Sequence, residues 1–130
     1  RFDTRFFVAP APLDQTAAHD HEEATESVSL APRAALEQYR DGQIELAPPQ
    51  IMSLAHLARY ARMQDVVVAA RSQRPPTILP LAHLDAGLRT IAYPGDPLHA
   101  ERKRALPGPT RLRQQGRQFL PEGGFEALFL

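Results

Sequence analysis

Thirteen prolines in 130 residues constrain the fold of this chain more than any other feature. Proline fixes φ and lacks a backbone N–H, so it ends helices and is excluded from central strands. This proline content is above average usage and predicts many short elements joined by loops. The chain is long enough for one modest domain, and its apolar fraction of 43% is ordinary for a globular protein. We therefore expect a folded domain of the α+β class.

The balance of charges limits the partners of the chain. Fifteen basic residues match fifteen acidic ones, so no net charge draws the chain to nucleic acid or to an anionic membrane. The absence of cysteine excludes disulfides, thiolate nucleophiles and cysteine-ligated zinc. No apolar run approaches the length of a membrane span, and no signal peptide is visible. We expect neither a nucleic-acid nor a membrane partner, and a cytoplasmic location is favoured.

Two stretches carry charge of a single sign. The charged residues of 14–26 are all acidic, and those of 102–117 are all basic. The common interpretation of such a run is a solvated loop, and residues 98–109 are predicted to form an exposed loop. The basic stretch 102–113 has an alternative interpretation, which is contact with a nucleotide phosphate. It lacks interleaved aromatic residues, so it fits a nucleic-acid platform poorly.

The first half of the chain combines strand and helix signals. Aromatic and β-branched residues favour strands, and apolar residues three and four positions apart favour helices. The triple valine 66–68 weakly favours a strand, but Asp65 before it and the alanines after it favour a helix. The predicted elements are strands at 2–8 and 22–30 and helices at 33–40, 48–61 and 66–71.

The second half is predicted to be rich in loops. Short strands are expected at 77–79 and 88–92, and the Pro-Gly pair within 93–97 predicts a turn. A hairpin is expected around Gln115-Gly116, with strands at 110–114 and 117–120.

The acidic segment offers the first candidate site. Carboxylates such as those of Glu22, Glu23 and Glu26 suit hard divalent cations, and one of them can act as a general base. The alternative is a solvent-exposed acidic strand end. His19, His21 and Glu23 alternate and would share a face of an extended chain, but without further clustered histidines they make a zinc site a weak hypothesis.

The opening segment offers a second candidate site. Arg1, Asp3 and Arg5 alternate onto one face of the strand predicted there. A pair of guanidinium groups can clamp a diphosphate through paired hydrogen bonds. The alternative is an Arg-Asp-Arg charge ladder on a sheet surface, and the two interpretations have about equal weight.

A recognisable pattern occurs at residues 1–9, 23–32 with Ala35-Leu36, and 45–49, and more loosely at 94–97 and 116–119. These segments resemble the part of Nudix hydrolases that follows their catalytic box, above all in the subgroup that includes acyl-CoA diphosphatases. The box itself, a glycine followed by a helix with an Arg-Glu and a Glu-Glu pair, does not occur in this sequence. The chain opens without an initiator Met and is therefore expected to be the C-terminal portion of a larger protein.

The resemblance implies an α/β/α sandwich with a mixed sheet, of which residues 1–130 would form a single partial domain. It implies a hydrolase that cleaves a diphosphate linkage in a small-molecule nucleotide derivative such as acyl-CoA, with Mg²⁺ or Mn²⁺ as cofactor. A glutamate outside the box often joins the metals or activates water in this family, and the resemblance places Glu23 there. Because the main metal ligands belong to the box, this chain alone is expected to be inactive.

Three positions depart from the family pattern. Ser29 stands where Trp is usual, Ala34 where Glu is usual, and Gln50 where Thr is usual. The first two slightly favour an alternative function, a non-catalytic module of Nudix fold that binds a nucleotide or a protein. A third hypothesis is a truncated chain without an independent function. The substrate and the oligomeric state do not follow from the sequence.

Overall fold

The structure is a computed structural model that describes residues 3–16 and 28–130. The chain divides into two compact units. The larger unit comprises residues 31–59 and 75–130, and the smaller one comprises the described residues of 1–30 together with 60–74. The expectation that residues 1–130 form one partial domain stays a prediction.

The larger unit begins with helix α1, Pro32–Arg40, which confirms the helix predicted at 33–40. Pro32 occupies the first turn, where its missing N–H costs no hydrogen bond, and Arg40 lies in the last turn. Gly42 follows with a φ of 74°, a conformation that suits glycine after a helix. The buried side chains are those of Ala35, Leu36 and Tyr39.

Helix α2, Pro48–Leu57, is the second predicted helix of this unit. Its first turn is closed by Gln50, whose side-chain oxygen accepts a 2.8 Å hydrogen bond from the Ala47 N–H. The helix ends at Leu57, short of the predicted end at Ala61. Its last turn tightens because the Arg59 N–H bonds to the His56 carbonyl, three residues back.

Within residues 3–16 and 28–130, four strands form one antiparallel sheet in the order β1-β2-β3-β4. They are β1 Leu81–Asp85, β2 Leu88–Ala92, β3 Arg111–Gln115 and β4 Gln118–Leu120. Strand β2 and the hairpin of β3 and β4 confirm the sequence-based predictions. The α+β class is also confirmed. The three strand pairings of the described residues are antiparallel, whereas a mixed sheet was expected.

The prediction of a strand at 77–79 is wrong, because the strand begins after Pro80, at Leu81. Pro80 cannot donate a ladder hydrogen bond, so it precedes the strand. Ala86 and Gly87 then turn the chain with φ values of 51° and 77°. Two positive φ values in a two-residue loop match the twist of a hairpin, and β1 and β2 are paired directly across it.

One side of the sheet packs against the helices and a final 3₁₀ turn, Phe125–Phe129. Tyr39 links α1 to β4, because its hydroxyl accepts a 2.6 Å hydrogen bond from the Phe119 N–H. Burial raises the pKa of the Tyr39 hydroxyl, and its bond to Phe119 opposes that rise only partly. The buried core consists of Leu36, Tyr39, Ile51, Met52, Ala55, Ile91, Tyr93, Leu112 and Leu128.

The smaller unit contains helix α3, Met63–Ser72, which confirms the preference for a helix over a strand at the triple valine. Asp65 lies in its first turn, and its carboxylate forms a 3.0 Å ion pair with the Arg62 guanidinium. None of the described helices has the length and hydropathy needed to cross a membrane.

The strand predicted at 2–8 is wrong for the residues that the structure describes. Residues 3–8 have no strand structure, and Phe6 and Phe7 are 73% and 87% exposed. β-Propensity depends on cross-strand partners, and these residues pair with no strand among those described. Residues 28–30 likewise have no strand structure, and the rest of the strand predicted at 22–30 lies outside the described residues.

Candidate functional site

Strand alternation gives the sheet a polar side opposite the core. Leu112 is fully buried in the core, so its neighbours Arg111 and Arg113 extend to the other side. Thr90 is the cross-strand partner of Arg113, and His83 is the partner of Thr90, so these three share that polar side.

Arg111 and Asp96 form the central ion pair of this polar side. The Arg111 Nε and Nη2 atoms donate to the two carboxylate oxygens of Asp96 at 3.1 and 2.8 Å. The Asp96 side chain is only 3% exposed. Its oxygens also accept hydrogen bonds from the Leu98 N–H at 2.8 Å and the Thr110 hydroxyl at 3.0 Å. Asp96 therefore attaches the loop that follows β2 to the start of β3.

This environment determines the charge of Asp96. Burial raises the pKa of its carboxyl, but the hydrogen bonds from Arg111, the Leu98 amide and Thr110 together outweigh burial. The pKa of Asp96 consequently lies below its ordinary value, and the carboxylate stays charged at neutral pH.

A second group of charges surrounds the same arginines. Arg113 pairs with Asp85 and, at 2.7 Å, with Glu122. Arg111 also reaches Asp85 at 3.3 Å and Glu122 at 3.8 Å. Two cations are thus matched by the three carboxylates of this network, so neither arginine offers an unpaired charge to a ligand.

An open cleft of about 830 Å³ lies beside this network. One wall is residues 104–111, which include Arg111 itself, and the other is residues 121–123 with Ala127 and Leu130. Much of its lining is apolar or proline. The cleft is the concave feature to which we assign the candidate site, because concavity and convergent polar groups mark ligand sites.

Two glycines allow close contacts beside the segment 104–108 of the cleft lining. Gly95 has a φ of 96°, and a Cβ at this position would lie 2.5 Å from the Cγ of Arg104. Gly108 has a φ of 87°, and its Cβ would lie 2.9 Å from the Arg59 guanidinium. Arg104 donates a hydrogen bond to the Gly108 carbonyl. The chain therefore approaches itself closely at both ends of the segment 104–108.

The histidines near this region have structural surroundings. His99 is buried, its Nε2 lies 2.8 Å from the Leu79 carbonyl, and its Nδ1 accepts from the Glu101 N–H at 3.0 Å. Those two bonds require the neutral ring with its proton on Nε2. His83, on β1, has a buried Nε2 without a hydrogen-bond partner among the described residues.

The predicted site residues are not brought together within the part of the chain that the structure describes. Glu23 and Arg1 lie outside the described residues. Arg5 is described, exposed and outside any strand. Their roles as metal ligand, catalytic base and substrate clamp therefore stay predictions. Among residues 3–16 and 28–130, no group of three or more His, Asp or Glu residues could hold a metal ion.

Sequence reasoning missed the Asp96–Arg111 pair. The turn at 93–97 was predicted and is present, and Asp96 lies inside it. The available signal was an acidic residue between two prolines, Pro94 and Pro97, followed by a basic strand. That signal does not specify a partner, because 15 positions separate the two residues.

Part of the chain is similar to a known protein. A segment of 66 residues is 32% identical to the acyl-coenzyme A diphosphatase NUDT19 of Xenopus laevis. The match covers 51% of this chain and 17% of that protein, so the chain spans only a small part of its relative. No family model matches the chain. No solved structure matches it.

Proposed function

We propose that the chain is the part of a Nudix-type hydrolase that follows the catalytic box. In this proposal the complete protein cleaves a diphosphate linkage in a nucleotide derivative such as acyl-CoA. The similarity over 66 residues to an acyl-coenzyme A diphosphatase is the observation that carries the proposal. The segments quoted from the sequence, which resemble the same subgroup of hydrolases, support it.

Dependence on Mg²⁺ or Mn²⁺ is part of the proposal through the resemblance. Among the described residues no group of three or more His, Asp or Glu could hold a metal ion, and arginines already pair with the carboxylates of Asp85, Asp96 and Glu122. Glu23 is the residue of this chain that we propose as metal ligand or general base. The remaining ligands would belong to a box that this sequence does not contain.

Within this proposal, the described residues support the site and contact the substrate. The apolar core holds the sheet against α1 and α2, and the ion pairs hold the loop that forms one wall of the cleft. Neither contribution supplies the metal ligands of the box, which would activate the attacking water. We therefore expect no diphosphatase activity from the 130-residue chain by itself, and turnover of about 1 per second or more by that chain would contradict this.

The proposal is tested with the complete gene product, assayed on acyl-CoA with Mg²⁺. We expect hydrolysis of the diphosphate linkage, and Glu23→Gln should lower kcat by about a hundredfold or more, which is the usual contribution of a general base. Glu45→Gln is the matched control, since the Glu45 side chain is 85% exposed and pairs with Arg117 at the surface. Absence of hydrolysis by the complete product would overturn the proposal. A Glu23→Gln enzyme within threefold of wild type would remove Glu23 from the site.

The second candidate is a module that keeps the fold but lacks catalysis. Ser29 and Ala34, which replace the usual Trp and Glu of the resembling pattern, favour it. The two candidates differ in one observable. A complete gene product that binds a nucleotide derivative without hydrolysing it would support the module and exclude the enzyme.

A further inference from the structure

Three consecutive cations lie in the loop that leads into the cleft. We call Arg102, Lys103 and Arg104 the basic rim. Arg111 and Arg113 are paired with carboxylates, but within the described part of the chain no residue of the rim forms an ion pair with an acid. The nearby Glu101 uses its carboxylate to accept from the Lys103 backbone N–H at 2.9 Å. The three cations of the rim therefore exceed the single negative charge of Glu101 beside them.

Two of the three rim side chains are held by hydrogen bonds to backbone carbonyls, and one of these two, Arg104, lines the cleft. Arg102 donates to the Pro97 carbonyl at 3.3 Å, and Arg104 donates to the Gly108 carbonyl. The backbone of Arg104 lies so close to Gly95 that a Cβ there would be 3.1 Å from the Arg104 Cα. A positioned guanidinium loses less entropy when it binds a ligand than a free one does.

The cleft that Arg104 lines combines this charge with an apolar lining. The acidic residue among its lining residues is Glu122, whose carboxylate already pairs with Arg113. Arg111 is likewise matched by Asp96. Arg104 is consequently the lining cation that has no acidic partner among the described residues, and Arg102 and Lys103 precede it in the loop outside the lining. The apolar lining residues are Ala105, Leu106, Pro107, Pro109, Pro121, Ala127 and Leu130.

We propose that the basic rim and the cleft bind a nucleoside phosphate that carries an apolar arm. The rim would receive the phosphate, because guanidinium groups bind phosphate oxygens through charged hydrogen bonds. The apolar lining would receive the arm. This inference rests on the proposed function for the identity of the ligand and adds to it the residues that recognise the substrate.

The experiment measures binding of coenzyme A to the complete gene product by titration calorimetry, with EDTA present to suppress metal-dependent turnover. Coenzyme A carries its phosphates on a polar pantetheine arm, octanoyl-coenzyme A adds an apolar acyl chain to that arm, and pantetheine lacks the phosphates. We expect octanoyl-coenzyme A to bind more tightly than coenzyme A, and pantetheine to bind at least tenfold more weakly than coenzyme A. Equal Kd values for coenzyme A and octanoyl-coenzyme A would overturn the assignment of the apolar lining. Because the phosphate contact is ionic, the Kd for coenzyme A should rise with salt concentration.

Variants assign the binding to the rim. Arg104→Gln should raise the Kd for coenzyme A about tenfold or more, the effect of losing one charged hydrogen bond. Arg104→Lys keeps the charge and should recover part of that loss. Arg117→Gln is the matched control, because this arginine side chain is 90% exposed in the turn between β3 and β4 and does not line the cleft. The Kd of this variant for coenzyme A should stay within twofold of the wild-type value. Unchanged thermal unfolding of each variant excludes a folding effect.

Three results would overturn the inference. They are equal Kd values for Arg104→Gln and Arg117→Gln, equal binding of pantetheine and coenzyme A, and full competition by inorganic phosphate at the concentration of coenzyme A. The inference and the proposed function fail separately. Hydrolysis with a Kd independent of Arg104 would overturn the inference alone, whereas rim-dependent binding without hydrolysis would overturn the proposed activity alone.

Discussion

The two sides of the central strands β2 and β3 are stabilised in different ways. On one side Ile91 and Leu112 join a core that contains residues of α1 and α2. On the other side Arg111 and Arg113 are held by Asp85, Asp96 and Glu122. The apolar side depends on area removed from water, which has no direction. The polar side depends on the partner of each individual charge.

Because their stabilising interactions differ, the two sides of the sheet hold different parts of the molecule in place. The apolar side positions whole helices, because any well-filled core holds them. The polar side positions one loop, because Asp96 bonds to its own loop through the Leu98 N–H and to β3 through Arg111. The cleft lies along that loop. The ion pairs therefore contribute to the shape of the candidate site, together with Leu106, which lines the cleft and packs against the core.

The largest expected effect comes from Asp96→Ala. It leaves Arg111, whose side chain is 17% exposed, without its bidentate partner. Removal of one member of a buried ion pair costs about 3–5 kcal/mol of the free energy of unfolding. Denaturant titration measures the cost, and Glu45→Ala at an exposed pair provides the control. A loss below about 1 kcal/mol would place the pair in the class of surface ion pairs and remove the contrast between the two sides.

The apolar side is tested by Leu112→Ala, with an expected loss of about 3 kcal/mol. Leu112 is fully buried, so the substitution removes apolar area and leaves a cavity. Leu84→Ala on the edge strand β1 is the control, since Leu84 is 81% exposed. Similar losses for the two variants would show that Leu112 is not part of a packed core.

Acid should weaken the polar side before the apolar side. The pKa of Asp96 is lower in the folded chain than in the unfolded chain, so its contribution is complete above about pH 4, the ordinary Asp value, and is lost as pH falls through the folded pKa. Asp96→Asn should therefore lower the free energy of unfolding more at pH 6 than at pH 3. Denaturant titrations at both pH values measure the difference. An equal loss at both would contradict the assigned pKa direction.

The smallest effect is expected at the pair Arg117–Glu45, which joins side chains that are 90% and 85% exposed. Arg117→Ala should change the free energy of unfolding by less than about 0.5 kcal/mol, because water and salt screen such pairs. Denaturant titration at low and high salt measures it. A loss above about 1 kcal/mol would show that exposure does not separate the ion pairs of this chain.

The sequence predicted the elements whose signals are local. Apolar periodicity and a leading proline located α1 and α2, and Gly116 located the hairpin of β3 and β4. Strand β1 was missed because it follows Pro80 and because its turn, Ala86-Gly87, lacks the usual Asn or Asp. The prediction of a strand at 2–8 failed for a different reason. Its aromatic residues suit a strand, but the segment has no partner strand among the described residues.

The candidate site was less predictable than the fold. Alternation along β3 places Arg111 and Arg113 on one side, but it does not say which acids will face them. Asp96 lies in a loop, and its pairing with Arg111 depends on how that loop folds back over 15 positions. The basic stretch was recognised, with phosphate contact as one interpretation. The sequence does not show that this stretch borders a cleft, because that depends on the close chain contacts at Gly95 and Gly108 in the folded chain.

Amide hydrogen exchange tests most directly whether the ion pairs hold the loop. Exchange is compared between wild type and Asp96→Asn across the loop 93–110 and helices α1 and α2. We expect protection in the loop to fall about tenfold or more beyond any change in the helices, because local opening of the loop no longer breaks the full ion pair. An equal change in loop and helices, or no change in the loop, would contradict the account.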